Sequence, residues 1–177
     1  MKKYAFLFLL CTIGFSNAQD NQAILENHFN TNRALMGLSQ EDVSDFKVES
    51  STYSKSMRID NVYVSQRISG IEVFNSTSVF GIKNGVVVSS KMGFIPNTTQ
   101  KINTSIPVIS AQNAIVKAAT AIGISAPTAL EILETTAPNS FVFNTGSISL
   151  NNIPVSLVFQ PMQDGTLNLA WDISIYL

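Results

Sequence analysis

The stretch from residue 61 to residue 88 constrains the fold most, because it combines strict alternation with an Asn-Gly pair. Apolar and polar side chains alternate along residues 62–68, which predicts a strand with one buried face. On that face lie Val62, Val64, Gln66 and Ile68, and on the other Tyr63, Ser65 and Arg67. Asn84-Gly85 then separates two apolar runs and supplies the positive φ angles that a two-residue hairpin needs. The pattern predicts an antiparallel meander of three or four strands.

The second half of the chain begins with a clear helix signal. Ser110 is a good N-cap, and Gly123 follows the helix as a C′ glycine. Between them runs one apolar stripe: Ala111, Ala114, Ile115, Ala118, Ala119 and, as its extension, Ile122. Four short strands are predicted next, at residues 130–134, 141–143, 155–159 and 167–176, with Asp164-Gly165 as the hairpin turn before the last one.

The first half also begins with helical spacing. Ile24, Leu25, Phe29, Leu35 and Leu38 predict an amphipathic helix over residues 20–38. Ser39 is then the expected N-cap of a short second helix whose first turn is acidic. Each half thus reads as a helix followed by an antiparallel sheet, and residues 96–108, polar with little to bury, read as a linker. The predicted fold class is α+β, built from two small modules that each pack a helix on a sheet.

The amino terminus has the three parts of a secretory signal peptide. Lys2 and Lys3 precede an apolar run of about a dozen residues, which is shorter than the roughly 20 residues of a membrane-spanning helix. Small residues follow, and they place the expected cleavage between Ala18 and Gln19. A buried core helix and a lipoprotein anchored through Cys11 are alternatives, although Leu10 stands where a lipoprotein has a small residue. We expect a secreted protein with no membrane association after cleavage.

Composition excludes several functions. The 177 residues carry a net charge of −1, which gives no electrostatic reason to bind nucleic acid. The single Cys11 lies in the predicted signal peptide, so the mature chain has no disulfide and depends on core burial for its stability. One His cannot supply the paired histidines of an H-E-x-x-H zinc site. We therefore expect no metal and no other cofactor in this chain.

Candidate catalytic residues are sparse. His28 reads as a partly exposed helical histidine without a structural partner, although a secreted enzyme that uses it or surface carboxylates stays an alternative. Asp42 and Asp45 are explained by the dipole at a helix start. No G-x-S-x-G elbow and no phosphate-binding glycine loop occur in the sequence. The expectation is that this chain is not an enzyme.

Two sets of residues have both a structural and a functional reading. Gln66 shares a face with valines and isoleucine, so we expect a half-buried amide that needs backbone partners. Four aromatic residues at strand spacing could form a ligand cage, but core packing is favoured for them. They are Phe141, Phe143, Phe159 and Trp171.

Residues 61–88 resemble the fungalysin/thermolysin propeptide (FTP) module. That module typically has a strand ending in Gln, a short turn with Gly, a Val two or three residues later and an Asn/Asp-Gly hairpin. Gln66, Gly70, Val73 and the Asn84-Gly85 pair fall on those positions. The sequence departs from the pattern at Glu72, where proline is common, and at Asn75, where glycine is common.

The second half resembles the PepSY module that usually follows. Residues 110–119 match its Ala-rich helix, and residues 157–161 with 167–173, which include Trp171, match its closing hairpin. With the signal peptide at 1–18 and the linker at 96–108 predicted above, the resemblance implies an FTP-like module at 19–95 and a PepSY-like module at 109–177 that is cut short. It also implies a cystatin-like shape for both modules.

Together the two modules resemble the pro-region of a bacterial fungalysin-type (M36) secreted zinc metallopeptidase. The resemblance implies a non-catalytic segment that inhibits its catalytic domain and assists its folding until it is removed. The zinc is expected only in that catalytic domain, which this chain does not contain and which would be its partner. The alternative is a free-standing exported inhibitor or ligand-binding module of the same fold.

Overall fold

The computed structural model describes residues 16–177, so residues 1–15 of the predicted signal peptide lie outside the described residues. The class is α+β, as predicted, with two helices and nine strands in this part of the chain. The helices are α1 (Ser16–Asn32) and α2 (Ala111–Ala121). The strands are β1 (Phe46–Ser54), β2 (Ile59–Ile68), β3 (Ile71–Val73), β4 (Ser78–Lys83), β5 (Val86–Lys91), β6 (Ile132–Ala137), β7 (Ser140–Phe143), β8 (Ile153–Pro161) and β9 (Leu167–Ile173).

The strands form one continuous sheet. β1, β2, β4 and β5 are neighbours in that order, and β6, β7, β8 and β9 follow one another in sequence, all antiparallel. The short strand β3 joins the two sets, because it pairs antiparallel with β2 and parallel with β8. The sequence did not indicate this parallel pairing, which involves only two residue pairs and places β3 in the middle of the sheet.

The predicted Asn-Gly hairpin is confirmed. Asn84 and Gly85 connect β4 to β5 with φ angles of 52° and 76°, so both residues adopt the left-handed conformation that a tight hairpin requires. The alternation in β2 is confirmed as well, since Val62, Val64 and Gln66 are buried. On the opposite face Ser65 is also buried, where its hydroxyl donates to Glu49 Oε1 at 2.6 Å.

The first helix is shorter at its carboxyl end than predicted. α1 ends at Asn32, and the chain then turns through Gly37, whose φ is +72°. The amide of Leu38 donates to the carbonyl of Arg33 at 2.9 Å, which closes this turn and returns Leu38 to the core. Leu35 is therefore 88% exposed instead of extending the apolar stripe. The predicted cleavage site, Ala18–Gln19, lies in the first turn of α1.

Other predicted boundaries hold with small changes. Ser110 caps α2 through a hydrogen bond from the amide of Asn113 at 3.2 Å, but Ile122 is exposed and does not extend the buried stripe. The predicted second helix is a single 3₁₀ turn, Glu41–Val43. Among residues 16–177, no helix combines the length and the apolar character needed to cross a membrane.

The core of the first half is built around Phe29 of α1. Its ring lies 5.1 Å from that of Phe46, 5.4 Å from that of Phe80 and 5.5 Å from that of Phe94, measured between centroids. Such aromatic contacts add about 0.5–1.5 kcal/mol each beyond area burial. In the second half, α2 packs Ala111 and Ile115 against the sheet in a separate cluster. Phe143 and Phe159 are buried, so core packing is confirmed for these two aromatic residues.

The chain needs a glycine where it enters the core after β5. A Cβ at Gly93 would lie 2.3 Å from the carbonyl oxygen of Thr77 and 2.8 Å from its carbonyl carbon. We expect Gly93→Ala to lower the free energy of unfolding by about 1–3 kcal/mol, because backbone atoms must move to admit the methyl group. Urea unfolding followed by circular dichroism measures this, with exposed Ser90→Ala as the control. A Gly93→Ala variant as stable as the control would contradict the close approach.

Candidate functional site

A buried, extensively hydrogen-bonded polar site is centred on Gln66. This side chain is fully buried, and its amide makes three hydrogen bonds with backbone groups. Nε2 donates to the carbonyl oxygens of Asp42 and Ile95, both at 3.0 Å, and Oε1 accepts from the amide of Ile95 at 2.8 Å. The prediction that this amide needs backbone partners is confirmed, and its burial is complete rather than partial.

The side chain of Asp42 extends the same site. Its Oδ1 accepts from the amide and the hydroxyl of Thr98, both at 2.8 Å. Its Oδ2 accepts from the amides of Asn97 at 2.8 Å and of Ser39 at 2.9 Å. The amide of Asp42 in turn donates to Ser39 Oγ at 3.2 Å, which gives a reciprocal pair like a capping box. We call Gln66, Asp42, Ser39, Thr98 and the backbone of residues 95–98 the buried polar hub.

The hub determines the charge of Asp42. Burial, the largest single influence, opposes ionisation, but the four hydrogen bonds from Thr98, Ser39 and Asn97 together outweigh it and lower the pKa of Asp42 to about 2. The sequence reading of this acid as a helix-dipole residue is therefore wrong, because the carboxylate is 1% exposed and bonded to a distant segment. The Ser39-x-x-Asp42 spacing in the sequence was the signal for the reciprocal hydrogen bonds between these two residues. Nothing in the sequence indicated Thr98 as the distant partner.

Asp45 and the turn after β2 are linked in a similar way. The amide of Gly70 donates to Asp45 Oδ2 at 2.6 Å, and the guanidinium of Arg67 donates to the carbonyl of Gly70. Gly70 has a φ of +80°, and Ser69 before it also has a positive φ. Asp45 therefore holds the β2–β3 turn rather than a helix start.

The remaining residues of the FTP and PepSY resemblance occupy separate places. Val73 is fully buried on β3, in a cluster with Phe159. Asn84 and Gly85 form the hairpin described above. Trp171 on β9 packs against residues of two core clusters, and its Nε1 donates to the carbonyl of Ile109 at 3.0 Å. The structure does not bring these residues into one site.

The histidine lies against the core rather than free of partners. The ring of His28 lies 5.9 Å from that of Phe80, and its Nδ1 lies 3.3 Å from Asn32 Nδ2. Its Nε2 is buried and has no hydrogen-bond partner among the described residues, and burial lowers the pKa of the imidazole. The expectation of a partly exposed helical histidine is confirmed, and Asn32 is a structural partner that this expectation did not include. The contacts give this imidazole neither a hydroxyl nor a carboxylate to act with.

Three hydroxyl groups come together on the neighbouring strands β6, β7 and β8. Ser140 Oγ lies 2.8 Å from both Thr136 Oγ1 and Ser156 Oγ. They line a cleft of about 350 Å³ together with Arg67 and Glu72. Burial, followed by the nearby charge of Glu49, raises the pKa of Glu72. Because each hydroxyl bonds to another hydroxyl and not to a base, the cluster has no activated nucleophile.

A wider concavity of about 750 Å³ lies beside α1 and the β4–β5 hairpin. Asn21 and Ile24 of α1, Tyr53 of β1, Asp60 of β2 and Asn84 of the hairpin are part of its wall. Among residues 16–177 no group of three or more His, Cys, Asp or Glu side chains is placed to hold a metal ion. The wall of the concavity offers amide, phenol and carboxylate groups from several elements.

A scan against models of known protein families finds no match for this chain, and a search of curated proteins finds none either.

The first prediction for the hub concerns the Gln66 amide. Gln66→Leu leaves two carbonyl oxygens and one amide without partners inside the core, so we expect a loss of about 2–4 kcal/mol in unfolding free energy. Gln160→Leu is the matched control, because that amide donates only to the neighbouring carbonyl of Pro161. Urea unfolding of both variants measures the difference, and equal losses would argue against the hub.

The second prediction concerns pH. Because the pKa of Asp42 is about 2 in the folded chain and 3.8 is its ordinary value, its ionised form stabilises the fold above pH 3.8. That contribution, about 2 kcal/mol, is lost as the pH falls from 3.8 towards 2. We expect Asp42→Asn to be less stable than wild type at pH 6, and the gap to narrow by about 1.5 kcal/mol at pH 2.5, where part of the carboxylate in the folded chain is still ionised.

The control for this experiment is Glu41→Gln, a neighbouring exposed carboxylate. Its stability gap to wild type is expected to stay within about 0.5 kcal/mol at both pH values. A gap for Asp42→Asn that is the same at pH 6 and pH 2.5 would show that the carboxylate is not held ionised by the hub.

Proposed function

We propose that the chain is the pro-region of a secreted zinc metallopeptidase precursor of the fungalysin (M36) type. In this proposal it contains a signal peptide, an FTP-like module and a PepSY-like module, each a cystatin-like unit of a helix on an antiparallel sheet. It inhibits the catalytic domain and assists its folding, and it does no chemistry itself. Zinc belongs to the catalytic domain, which is the partner of this chain.

The observation that carries the proposal is the structural position of the residues on which the resemblance rests. Gln66 is the centre of the buried polar hub, Gly70 forms the β2–β3 turn and Val73 is core. Residues with such roles define a fold, so a shared pattern of them supports a shared module. Each half has a helix followed by four strands that pair antiparallel in chain order, with the short β3 inserted between the second and third of these strands in the first half. This repeated order supports two modules in one chain.

Such a pro-region acts by mass action within one precursor. It stabilises the native catalytic domain because it binds that state and not the unfolded one, and the covalent link keeps its effective concentration high. Among the strands that pair on one side only within the described chain, which include β1, the contact surfaces that we propose are β5 and β6. Exposed aliphatic side chains mark both: Val86 and Val88 on β5, Ile132 and Leu133 on β6.

A free-standing exported inhibitor or ligand-binding module is the second candidate. The concavity of about 750 Å³ beside α1 favours a ligand, since Tyr53 and Asp60 provide polar groups on its wall. The downstream reading frame separates the two candidates. An in-frame H-E-x-x-H segment supports the pro-region, and a stop codon with no adjacent peptidase gene supports the free-standing module.

The direct test is inhibition in trans. We expect the purified chain at micromolar concentration to lower the activity of the fungalysin-type catalytic domain of its own genome on a fluorogenic peptide, and to raise its refolding yield. Val86→Lys/Val88→Lys on β5 and Ile132→Lys/Leu133→Lys on β6 test the two strand edges, with Leu35→Lys as the exposed control. If the wild-type chain neither inhibits the catalytic domain nor raises its refolding yield, the proposal is contradicted.

A further inference from the structure

The chain between the two sets of strands has one stretch that differs from the rest. The residues before this stretch are bonded to both halves of the chain. Thr98 belongs to the buried polar hub of the first half, and the carbonyl of Lys101 accepts from the amide of Leu167 on β9 at 2.8 Å. The amide of Asn103 donates to the carbonyl of Leu167 at 3.3 Å. After it, Ser110 caps α2. Residues 104–109, which we call the exposed segment, lie between these anchors.

The backbone of the exposed segment is largely free. From residue 104 to residue 108, its amides and carbonyls bond to no other element in the part of the chain that the structure describes, and the local contacts are with the hydroxyl of Thr104. The next anchor is the carbonyl of Ile109, which accepts from Trp171 Nε1. Backbone without such bonds opens at low cost in free energy, and that is where proteolysis begins.

Two aliphatic side chains of this segment point into solvent. Ile106 is 74% exposed and Val108 is 95% exposed, with Pro107 between them. Leu35 is 88% exposed too, but it sits in a turn closed by backbone hydrogen bonds from residues 35, 36 and 37. The exposed segment therefore combines an accessible aliphatic side chain with a backbone free to pair with another chain in extended form.

We propose that the exposed segment is an endoproteolytic cleavage site for an endopeptidase that binds aliphatic side chains. Water adds to the carbonyl carbon of Ser105 or Pro107, and the C–N bond to Ile106 or Val108 breaks. The oxygen of water remains in the new carboxylate, and both protons of water pass to the leaving nitrogen, which becomes the new amino-terminal ammonium group. The proposal rests on the proposed function only for the identity of the endopeptidase, which would be the peptidase of the same precursor.

A cut here changes how the two halves hold a partner. Without the covalent link, the halves stay joined by the β3–β8 pairing, by the contacts of residues 101–103 with β9 and by the core cluster in which Ile71 and Val73 pack with residues of β8 and β9. Two linked binding surfaces act at high effective concentration, and separating them removes that advantage without changing either surface. Cleavage in the exposed segment thus leaves only these noncovalent contacts to keep the two halves together, and the effective concentration of the two binding surfaces falls whenever those contacts open.

Limited proteolysis tests the site. The chain purified after export is treated with a trace of thermolysin, which cleaves on the amino side of aliphatic residues, and the fragments are identified by mass and amino-terminal sequencing. We expect the first new amino terminus to be Ile106 or Val108. Ile106→Ser/Val108→Ser is expected to slow this first cut by at least about tenfold, because it removes both aliphatic side chains and leaves the fold intact.

Leu35→Ser is the matched control, and it is expected to be cut in the exposed segment at the wild-type rate. The unfolding midpoint of each variant is measured beforehand, so that faster cutting of an unfolded chain is recognised. A first cut outside residues 104–109, or a double variant cut there at the wild-type rate, would overturn the proposal. This assay contains no catalytic partner. Cleavage in the exposed segment can therefore be absent while inhibition in trans is observed, and inhibition can be absent while the cleavage is observed.

Discussion

The rest of the structure depends on the Gln66 side chain, which joins three stretches of chain far apart in sequence. Its amide bonds to the backbone of Asp42 and of Ile95 from a position near the carboxyl end of β2. A buried amide costs several kcal/mol without partners, and its partners here are backbone groups that would otherwise be buried unpaired. The Gln66 amide and these backbone groups therefore need one another as hydrogen-bond partners. The 3₁₀ turn at Glu41–Val43 and the chain after β5 must meet at this point of the sheet for those bonds to form.

The buried polar hub also explains how the segment after β5 connects the two halves. Asp42 holds Asn97 and Thr98 on the first half, and a few residues later Lys101 and Asn103 bond to Leu167 on β9. This stretch was predicted to be a polar linker with little to bury, but most of these hydrogen bonds come from its backbone, and the side chains contribute through Thr98 Oγ1 and Asn103 Oδ1. They satisfy a buried carboxylate and the edge of a strand instead of remaining solvated. The backbone becomes free only after Asn103, so a few residues separate the rigid part of the connection from the exposed segment.

Local signals in the sequence were sufficient where the cause of a structure is local. The alternation of β2, the Asn84-Gly85 hairpin and the Ser110 cap depend on neighbouring residues, and each is found where the pattern placed it. The end of α1 was missed because the apolar period continues to Leu38, while the turn at Gly37 interrupts the helix. The role of Asp42 and the parallel β3–β8 pair depend on contacts 56 and about 85 residues apart along the chain, and no local pattern encodes those.

The positions of the resemblance residues also bear on where a partner would bind. Gln66 and Val73 are buried, Gly70 and Asn84-Gly85 shape turns, and Trp171 ties β9 to the chain before α2. These residues are occupied with folding, so a surface that recognises a catalytic domain must be formed by others. Isolated exposed aliphatic residues are ordinary, but pairs of them on outer strands are a liability unless something covers them. The valines of β5 and the Ile132-Leu133 pair of β6 meet that description, which is why a pro-region built on this fold would present its sheet edges to its partner and keep its motif inside.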